Sequence, residues 1–382
     1  MKNMKYNRIV FWQEAPSPHQ ASWIRALAEI DESLNILCIF QQDLSQDRIA
    51  LGWQLPDYGK AKVLLNPELA KADEILNTDP IGTVHVFSGM VHNSTINSLF
   101  KKALKLNTRV GILSEGRDWR GWRGVLRMVH SLFYERRYSK SVDFVLAIGT
   151  VGMKWYRRCG YPEHKSFPFC YAVETPKHEE ISCSNNHIVQ ITAIGQLIPR
   201  KRFDLLIRAL SEISTTAWKL KIIGDGELRH SLESIVKLLG VESKVTFAGV
   251  LSNDQIGAEL ALSDILVLPS RWDGWGAVIN EALMSGVPVI CSDYCGGAEL
   301  IHSRFNGDIF KSGSLDSLTK VISDQLLKGP VKSVQRDGIK KWSRCIEGDL
   351  VAEYFSCIIG YDGQRDEIRP TAPWKIQGLT FK

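Results

Sequence analysis

Two acids, Asp273 and Glu281, stand eight residues apart in RWDGWGAVINEALMSGVPVICSD, Arg271 to Asp293. Gly274, Trp275 and Gly276 follow the first acid, and a helical run leads from there to a short apolar strand. A carboxylate inside such a helix can accept two hydrogen bonds from vicinal hydroxyls of the kind a ribose offers. The backbone amides of Gly276, Ala277 and Val278, at the helix start, can face a diphosphate. The ordinary alternative is that Glu281 solvates a helix and Asp273 caps one.

Two upstream turns carry related signals. Gly195 ends an apolar strand and leads through QLIPRKRFD into a helix, and Gly224-Asp225-Gly226-Glu227 follows another strand. Tight strand-to-helix turns let amides and a helix start approach an anion, although each can equally be a turn and nothing more. Neither is the GxGxxG dinucleotide fingerprint, because no acidic partner is clearly placed about 20 residues on. Arg200, Lys201 and Arg202 crowd the start of the next helix, the end at which the helix dipole disfavours cations. A phosphate to be bound accounts for that placement; an exposed basic turn is the plain alternative.

The elements that must position these residues form two α/β halves. In the first, strands are expected at Asn7–Trp12, Leu34–Phe40, Glu74–Asn77, Thr83–Phe87, Arg109–Leu113 and Phe144–Ile148. Helices are expected at Ala21–Ile30, Asn93–Leu104 and Arg123–Ser139. The second half restarts at HIVQITAIG and alternates strand and helix through WKLKIIG, KVTFAG, ILVLPS and VPVICS, becoming helical from about Leu315. Alternation at these lengths means mostly parallel sheets covered on both faces. The expected organisation is an N-terminal domain over 1–170, a linker over 171–187 and a C-terminal domain over 188–360. A polar tail over 361–382 follows, mobile or pinned by Trp374, and the final helix is free to pack back on the first domain. Ligands of doubly wound sheets bind outside the carboxyl ends of the strands.

Bulk properties narrow the class. A chain of 382 residues suits two domains, and 44% apolar with 23% charged residues marks it as globular. The apolar run near the start, Ile9–Trp12, is shorter than the roughly 7–15 residues of a secretory signal. No window approaches the roughly 20 apolar residues of a membrane span. A cytoplasmic location is expected, with the eight cysteines as free thiols and no metal set among them.

With these motifs in order, the chain resembles the retaining glycosyltransferases of family 4, which have the GT-B fold of two Rossmann-like domains and a cleft between them. The resemblance rests on GQLIPRKRF, IIGDGELRHSLESI, VTFAGVLSNDQI, DILVLPSRWDGWG and DGWGAVINEALMSGVPV, and is strongest from Gln190 to Gly307. It implies that the C-terminal domain holds a nucleotide-diphosphate sugar and the N-terminal domain the acceptor. Lys201 would neutralise the diphosphate, Glu281 would hold the ribose hydroxyls and Asp273 would contact the donor sugar through its loop. Gly195, Arg200, Gly224, Gly226, Gly274, Trp275, Gly276, Ala277 and Val278 would complete the donor site. Retention of configuration is implied, with no metal and no cofactor.

The chain departs from the family at three places. Asp273 replaces the usual Glu. Gln196 replaces an arginine, leaving Arg200 or Arg202 to supply the second phosphate cation. Ser114 or Glu115 stands where a donor-touching histidine is usual, and Glu115 is counted with Asp273 and Lys201 as catalytic. The first loop reads QEAPSPHQASW, so His19 and Trp23, with His92 and Arg117, are the acceptor candidates. His85, inside a strand, reads as a core residue.

The segment 117–140 carries Arg117, Arg120, Arg123, Arg127, Arg136, Arg137 and Lys140 among Trp119 and Trp122. Aromatic and basic residues together suit an anionic lipid surface or a lipid-linked diphosphate; a solvated helix whose apolar stripe packs on the sheet is the alternative. No nucleic-acid module accompanies the arginines, so nucleic acid is not expected as a partner. The expectation is an enzyme of surface polysaccharide or lipopolysaccharide (O-antigen type) biosynthesis, peripheral on the inner face of the cell membrane. Its rivals are a cytosolic transferase with a small soluble acceptor and a non-catalytic nucleotide- or glycan-binding module.

Overall fold

The computed structural model describes residues 6–44, 54–89, 93–175, 188–214, 217–364 and 367–376. The chain divides into two compact units, Met1–Glu174 with Cys345–Gln377, and Thr175–Arg344 with Gly378–Lys382.

The first unit is built on strands β1 (Arg8–Gln13), β2 (Asn35–Phe40), β3 (Lys62–Leu65), β4 (Thr83–Phe87), β5 (Arg109–Glu115), β6 (Phe144–Ile148) and β7 (Ser166–Phe169). They form a sheet in the order β3-β2-β1-β4-β5-β6-β7, every pairing parallel. Helices α1 (Pro18–Ile30), α2 (Leu69–Asn77), α3 (Ser94–Ala103), α4 (Gly121–Tyr134) and α5 (Gly149–Arg158) connect the strands. Strands covered on both faces have no solvent side, so β1, RIVFWQ, is buried along its whole length. His85 lies in this interior. The Trp12 indole donates to its Nδ1 at 3.1 Å, and burial lowers the imidazole to about 3, so it stays neutral, as expected of a core residue.

The second unit has β8 (Val189–Ile194), β9 (Trp218–Ile223), β10 (Val245–Gly249), β11 (Ile265–Leu268), β12 (Val289–Ser292) and β13 (Gly307–Phe310), in the order β10-β9-β8-β11-β12-β13. Its helices are α6 (Phe203–Ser211), α7 (Arg229–Leu238), α8 (Asn253–Ala261), α9 (Val278–Met284), α10 (Leu315–Leu326) and α11 (Ser333–Ser343). The apolar face of α6, with Phe203, Leu206, Ile207 and Leu210, closes one side of the core over Val189, Ile191 and Ile222.

Several sequence expectations change. Glu74–Asn77 is the end of helix α2, not a strand, because Ala72, Ile75 and Leu76 share one buried helical face. The helix expected at Arg123–Ser139 is α4, ending at Tyr134, and a short 3-10 turn at Arg136–Tyr138 follows it. The second unit ends at Arg344, and the last helix, α12 (Gly348–Gly360), belongs to the first. There Phe355 packs on Trp23 at 5.2 Å and on Phe11 at 5.9 Å between ring centroids. Gly348 makes that docking possible, since a Cβ on it would lie 2.8 Å from the Ser22 backbone. Trp374 pins the chain beyond α12, buried and edge-on to Tyr354. Of the linker expected over 171–187, residues 176–187 lie outside the described residues. Among the described residues no helix is long and apolar enough to cross a membrane, and the seven cysteines are free thiols.

Candidate functional site

In the second sheet the chain runs outward from β8 through β9 to β10, then returns to place β11 on the other side of β8. The switch point therefore lies between β8 and β11, and the loops leaving those strands diverge there to open a ligand crevice. Those two loops carry the candidate residues, Gly195 to Arg202 after β8 and Ser270 to Gly276 after β11.

An ion pair joins the loops. Lys201 Nζ donates to Asp273 Oδ2 at 2.6 Å, with both side chains largely buried. Arg200 approaches the same carboxylate oxygen at 3.4 Å and donates to the Trp272 carbonyl at 3.0 Å. The Ser270 hydroxyl, 3.4 Å from Asp273 Oδ2, completes the group. Arg202 turns away: it takes a left-handed conformation at the start of α6 and binds Asp204 at 3.0 and 3.1 Å. Of the two arginines expected to replace the missing phosphate cation, Arg200 faces the group and Arg202 does not.

Glycines let these loops close on one another. A Cβ on Gly224 would lie 2.1 Å from the Gly195 carbonyl oxygen, and one on Gly226 would lie 2.8 Å from the Leu197 carbonyl oxygen. Gly276, at φ +84, would drive a Cβ to 2.7 Å from Leu268. A turn after β12, unmarked in the sequence reading, braces the Asp273 loop. Gly296 N donates to Asp273 O at 3.0 Å and Gly297 N to Trp275 O at 2.8 Å. A Cβ on Gly296 would lie 2.0 Å from the Gly274 carbonyl oxygen. The paired glycines of YCGGAEL were the available signal.

Trp275 points inward. Its indole is buried and donates to Asn280 Oδ1 at 2.7 Å, so only its backbone remains for a ligand. The hydrogen bonds that begin α9 are Ile279 N to Gly276 O and Asn280 N to Ala277 O, both 2.9 Å. The amides of Gly276, Ala277 and Val278 come before them and are not used by the helix. Glu281 follows within the first turns of α9. Its carboxylate is half-buried and has no side-chain partner among the described residues, and burial pushes it up to about 7. Unpaired buried carboxylates are costly and uncommon away from functional sites.

The first sheet has its own switch point, between β1 and β4. Gly89 meets Glu14 across it, where a Cβ would lie 3.6 Å from the Glu14 side chain. Glu115, at the end of β5, accepts from the Tyr171 hydroxyl at 2.9 Å, and Tyr171 stacks on His19 at 5.7 Å. The structure thus gathers His19, Tyr171 and Glu115 at one edge; Tyr171 went unnoticed in the sequence because it arrives from beyond β7.

One acceptor candidate is corrected and a second is already engaged. Trp23 is fully buried among Phe11, Phe169 and Phe355 and offers no face to a ligand. Arg117 is engaged inside the unit, 2.6 Å from Glu135 and over the Trp155 ring. His92 lies outside the described residues. Among the described residues no cluster of three or more His, Cys, Asp or Glu is arranged to hold a metal ion.

Comparison with known proteins supplies a frame for this geometry. Residues 176–342 match the family described as Glycosyl transferases group 1. An uncharacterized glycosyltransferase of Methanocaldococcus jannaschii is 32% identical over 159 residues, 40% of this chain and 41% of the relative. A GDP-mannose-dependent alpha-(1-6)-phosphatidylinositol monomannoside mannosyltransferase of Mycobacterium tuberculosis is 30% identical over 146 residues, 36% of this chain and 38% of the relative. The match thus spans about two fifths of the length of these curated relatives. Likeness in fold extends further. The apo lipopolysaccharide outer core galactosyltransferase WaaB superposes with a TM-score of 0.69 at 17% identity, over 92% of this chain and 99% of that one. Anabaena HepE, solved in complex with UDP, gives 0.68 at 15% identity, over 91% and 98%. The fold is GT-B, with two Rossmann-like α/β units.

Proposed function

We propose, for a chain whose residues 176–342 match the group 1 glycosyl transferases, a retaining glycosyltransferase that moves a sugar from a UDP- or GDP-sugar to a glycan or lipid-linked acceptor in surface polysaccharide or lipopolysaccharide biosynthesis. The observation that carries this reading is the Glu281 carboxylate. It is half-buried, lacks a partner among the described residues, and lies three residues beyond the last of the three amides that α9 leaves unused. A ribose diol satisfies such a carboxylate with two hydrogen bonds, and a diphosphate satisfies the amides.

Chemistry follows from the paired loops. As the bond from the anomeric carbon to the diphosphate breaks, negative charge grows on the leaving phosphate. Lys201 and Arg200 strengthen their hold as it does, and preorganised donors of this kind are usually the largest catalytic contribution. Asp273 fixes the Lys201 ammonium beforehand and stands beside the sugar. The acceptor hydroxyl attacks from the face the leaving group departs, and its proton passes to the leaving phosphate. Glu115, oriented by Tyr171, serves the first unit's side of the reaction. The resemblance asks for neither metal nor cofactor.

The relatives' descriptions support this reading: one structure holds UDP, one relative uses GDP-mannose and acts on a phosphatidylinositol mannoside, and one structure is of a lipopolysaccharide galactosyltransferase. A cytoplasmic enzyme, peripheral on the inner membrane face, is the setting it implies. The test is calorimetric titration with UDP, GDP, ADP and dTDP, without added metal. Binding of one nucleotide, weakened in Glu281→Ala, supports the proposal. Folded protein that binds none, or a variant that binds as well as the parent, overturns it.

A further inference from the structure

Helix α4 is turned inside out. Its buried positions are Gly124 and Ser131, while Trp122, Val125, Leu126, Val129 and Phe133 are 69%, 57%, 58%, 44% and 80% exposed. Residues 122, 126, 129 and 133 are spaced by four, three and four, so they line one outward stripe. The segment's apolar stripe therefore does not pack on the sheet.

Polar contacts hold the helix in this orientation. Ser131 Oγ donates to Glu135 Oε1 at 3.2 Å, Trp155 Nε1 donates to Glu135 Oε2 at 3.2 Å, and Arg117 pairs with Glu135 at 2.6 Å. Gly124 sits so close to Trp119 that a Cβ would meet its backbone at 2.1 Å. Rolling the helix to bury Trp122 and Phe133 would break this network and expose a charged pair, so the outward stripe is fixed by the packing beneath it.

Charge identifies the occupant. Arg123 and Arg127 are exposed on the flank of the stripe, with the Arg123 guanidinium 5.2 Å from the Trp122 ring centroid. Arg120 is bound to Asp118. From Arg120 to Tyr134 the sequence contains no acidic residue. A two-fold contact between two such helices would bring four arginines together with no acidic residue from either helix to offset them. An anionic bilayer gives the arginines phosphates and the apolar stripe an acyl boundary.

We infer that α4 is a membrane-surface helix that lies flat in an anionic bilayer, with Trp122, Leu126, Val129 and Phe133 in the acyl boundary and Arg123 and Arg127 on lipid phosphates. This goes beyond the donor site and stands without it; only its corollary, an acceptor carried in the same bilayer, rests on the transferase reading.

The test is co-sedimentation of the full chain with vesicles of phosphatidylcholine alone or mixed with phosphatidylglycerol. The parent partitions onto the anionic vesicles. Trp122→Ser with Phe133→Ser lowers partitioning by at least about ten-fold at any salt, since each side chain leaves an apolar phase. Arg123→Gln with Arg127→Gln lowers it at low salt only. All four side chains are exposed, so an unchanged melting temperature verifies the fold of each variant. Absence of parent binding to either vesicle overturns the inference. So does binding that both double variants leave intact. A dimer in free solution that the Trp122/Phe133 variant converts to monomer, without vesicle binding, overturns it too and assigns the stripe to a second copy. Nucleotide titration of the parent keeps the two proposals apart: a parent that binds nucleotide but neither vesicle sinks only the membrane helix, and one that binds anionic vesicles but no nucleotide sinks only the donor site.

Discussion

At the carboxyl edge of the second sheet, the loops flanking the switch point are tied together by a 2.6 Å ion pair between Lys201 and Asp273, and glycines press the backbone segments against one another. At the same edge of the first sheet the corresponding contact is looser, Gly89 against the Glu14 side chain. The polar grouping there is an aromatic and carboxylate chain, His19, Tyr171 and Glu115. The two edges share a topology and differ in what they fix. Fixed cations and unused amides suit a polyanion whose charge grows during reaction. A carboxylate steered by a phenol suits a hydroxyl, which must be oriented and needs no neutralisation. On the proposed reading, one architecture, wound twice, is specialised by the residues of four loops rather than by its sheets.

The sharpest way to break this comparison is to remove the cation. Lys201→Ala is expected to lower kcat by about 100- to 1,000-fold with each donor sugar, a larger effect than its destabilisation of the fold through the stranded Asp273 carboxylate. Steady-state kinetics that retain more than a tenth of parent turnover would remove Lys201 from the diphosphate. Glu281→Gln comes next. Losing a charge-assisted hydrogen bond costs about 1.5–3 kcal/mol, so the nucleotide dissociation constant in calorimetry should rise by roughly ten-fold or more. A smaller effect is expected at the first sheet. Glu115→Gln should lower kcat or raise the acceptor KM by about ten-fold with nucleotide affinity unchanged; weakened nucleotide binding would place Glu115 on the donor side instead.

The smallest effect concerns pH and stability without substrate. Burial holds the Glu281 carboxyl at about 7 in the folded chain against an ordinary 4.5. Between those values the folded state keeps a proton that the unfolded state has released. The stability contributed by neutral Glu281 is therefore fully present below the lower value and lost as pH rises through the upper one. Glu281→Gln cannot lose that proton, so its melting temperature should gain on the parent's as pH increases from about 5 to 8. A gap between the two that stays constant with pH would show that the carboxyl titrates normally.

Much of the second unit was legible because its strands are unbroken apolar runs that stop at a glycine or serine, as in TAIG, KIIG and VLPS. The first unit was harder. β3 is a four-residue strand only partly buried, and β7 carries Pro168 at the sheet margin, so neither shows the expected strand signature. Lys201, Asp273 and Glu281 were singled out because the chemistry expected of them is local to a turn or helix. Tyr171 and the Gly296-Gly297 turn were not, since each reaches its partners from a separate strand end. Trp23 was misplaced for another reason: an aromatic beside a functional loop reads alike whether it faces outward or inward, and only packing against Phe355 decides.

The Lys201–Asp273 pair also bears on selectivity. Before any ligand arrives, the ammonium already has an internal counterion, so an incoming anion must compete for it. Inorganic phosphate or a stray carboxylate exchanges one partner for another and gains little. On the proposed reading, a nucleoside diphosphate would also engage the amides and the Glu281 carboxylate, a combined set that can outbid the resident acid. The pair would then act as an affinity threshold against the abundant small anions around the pocket.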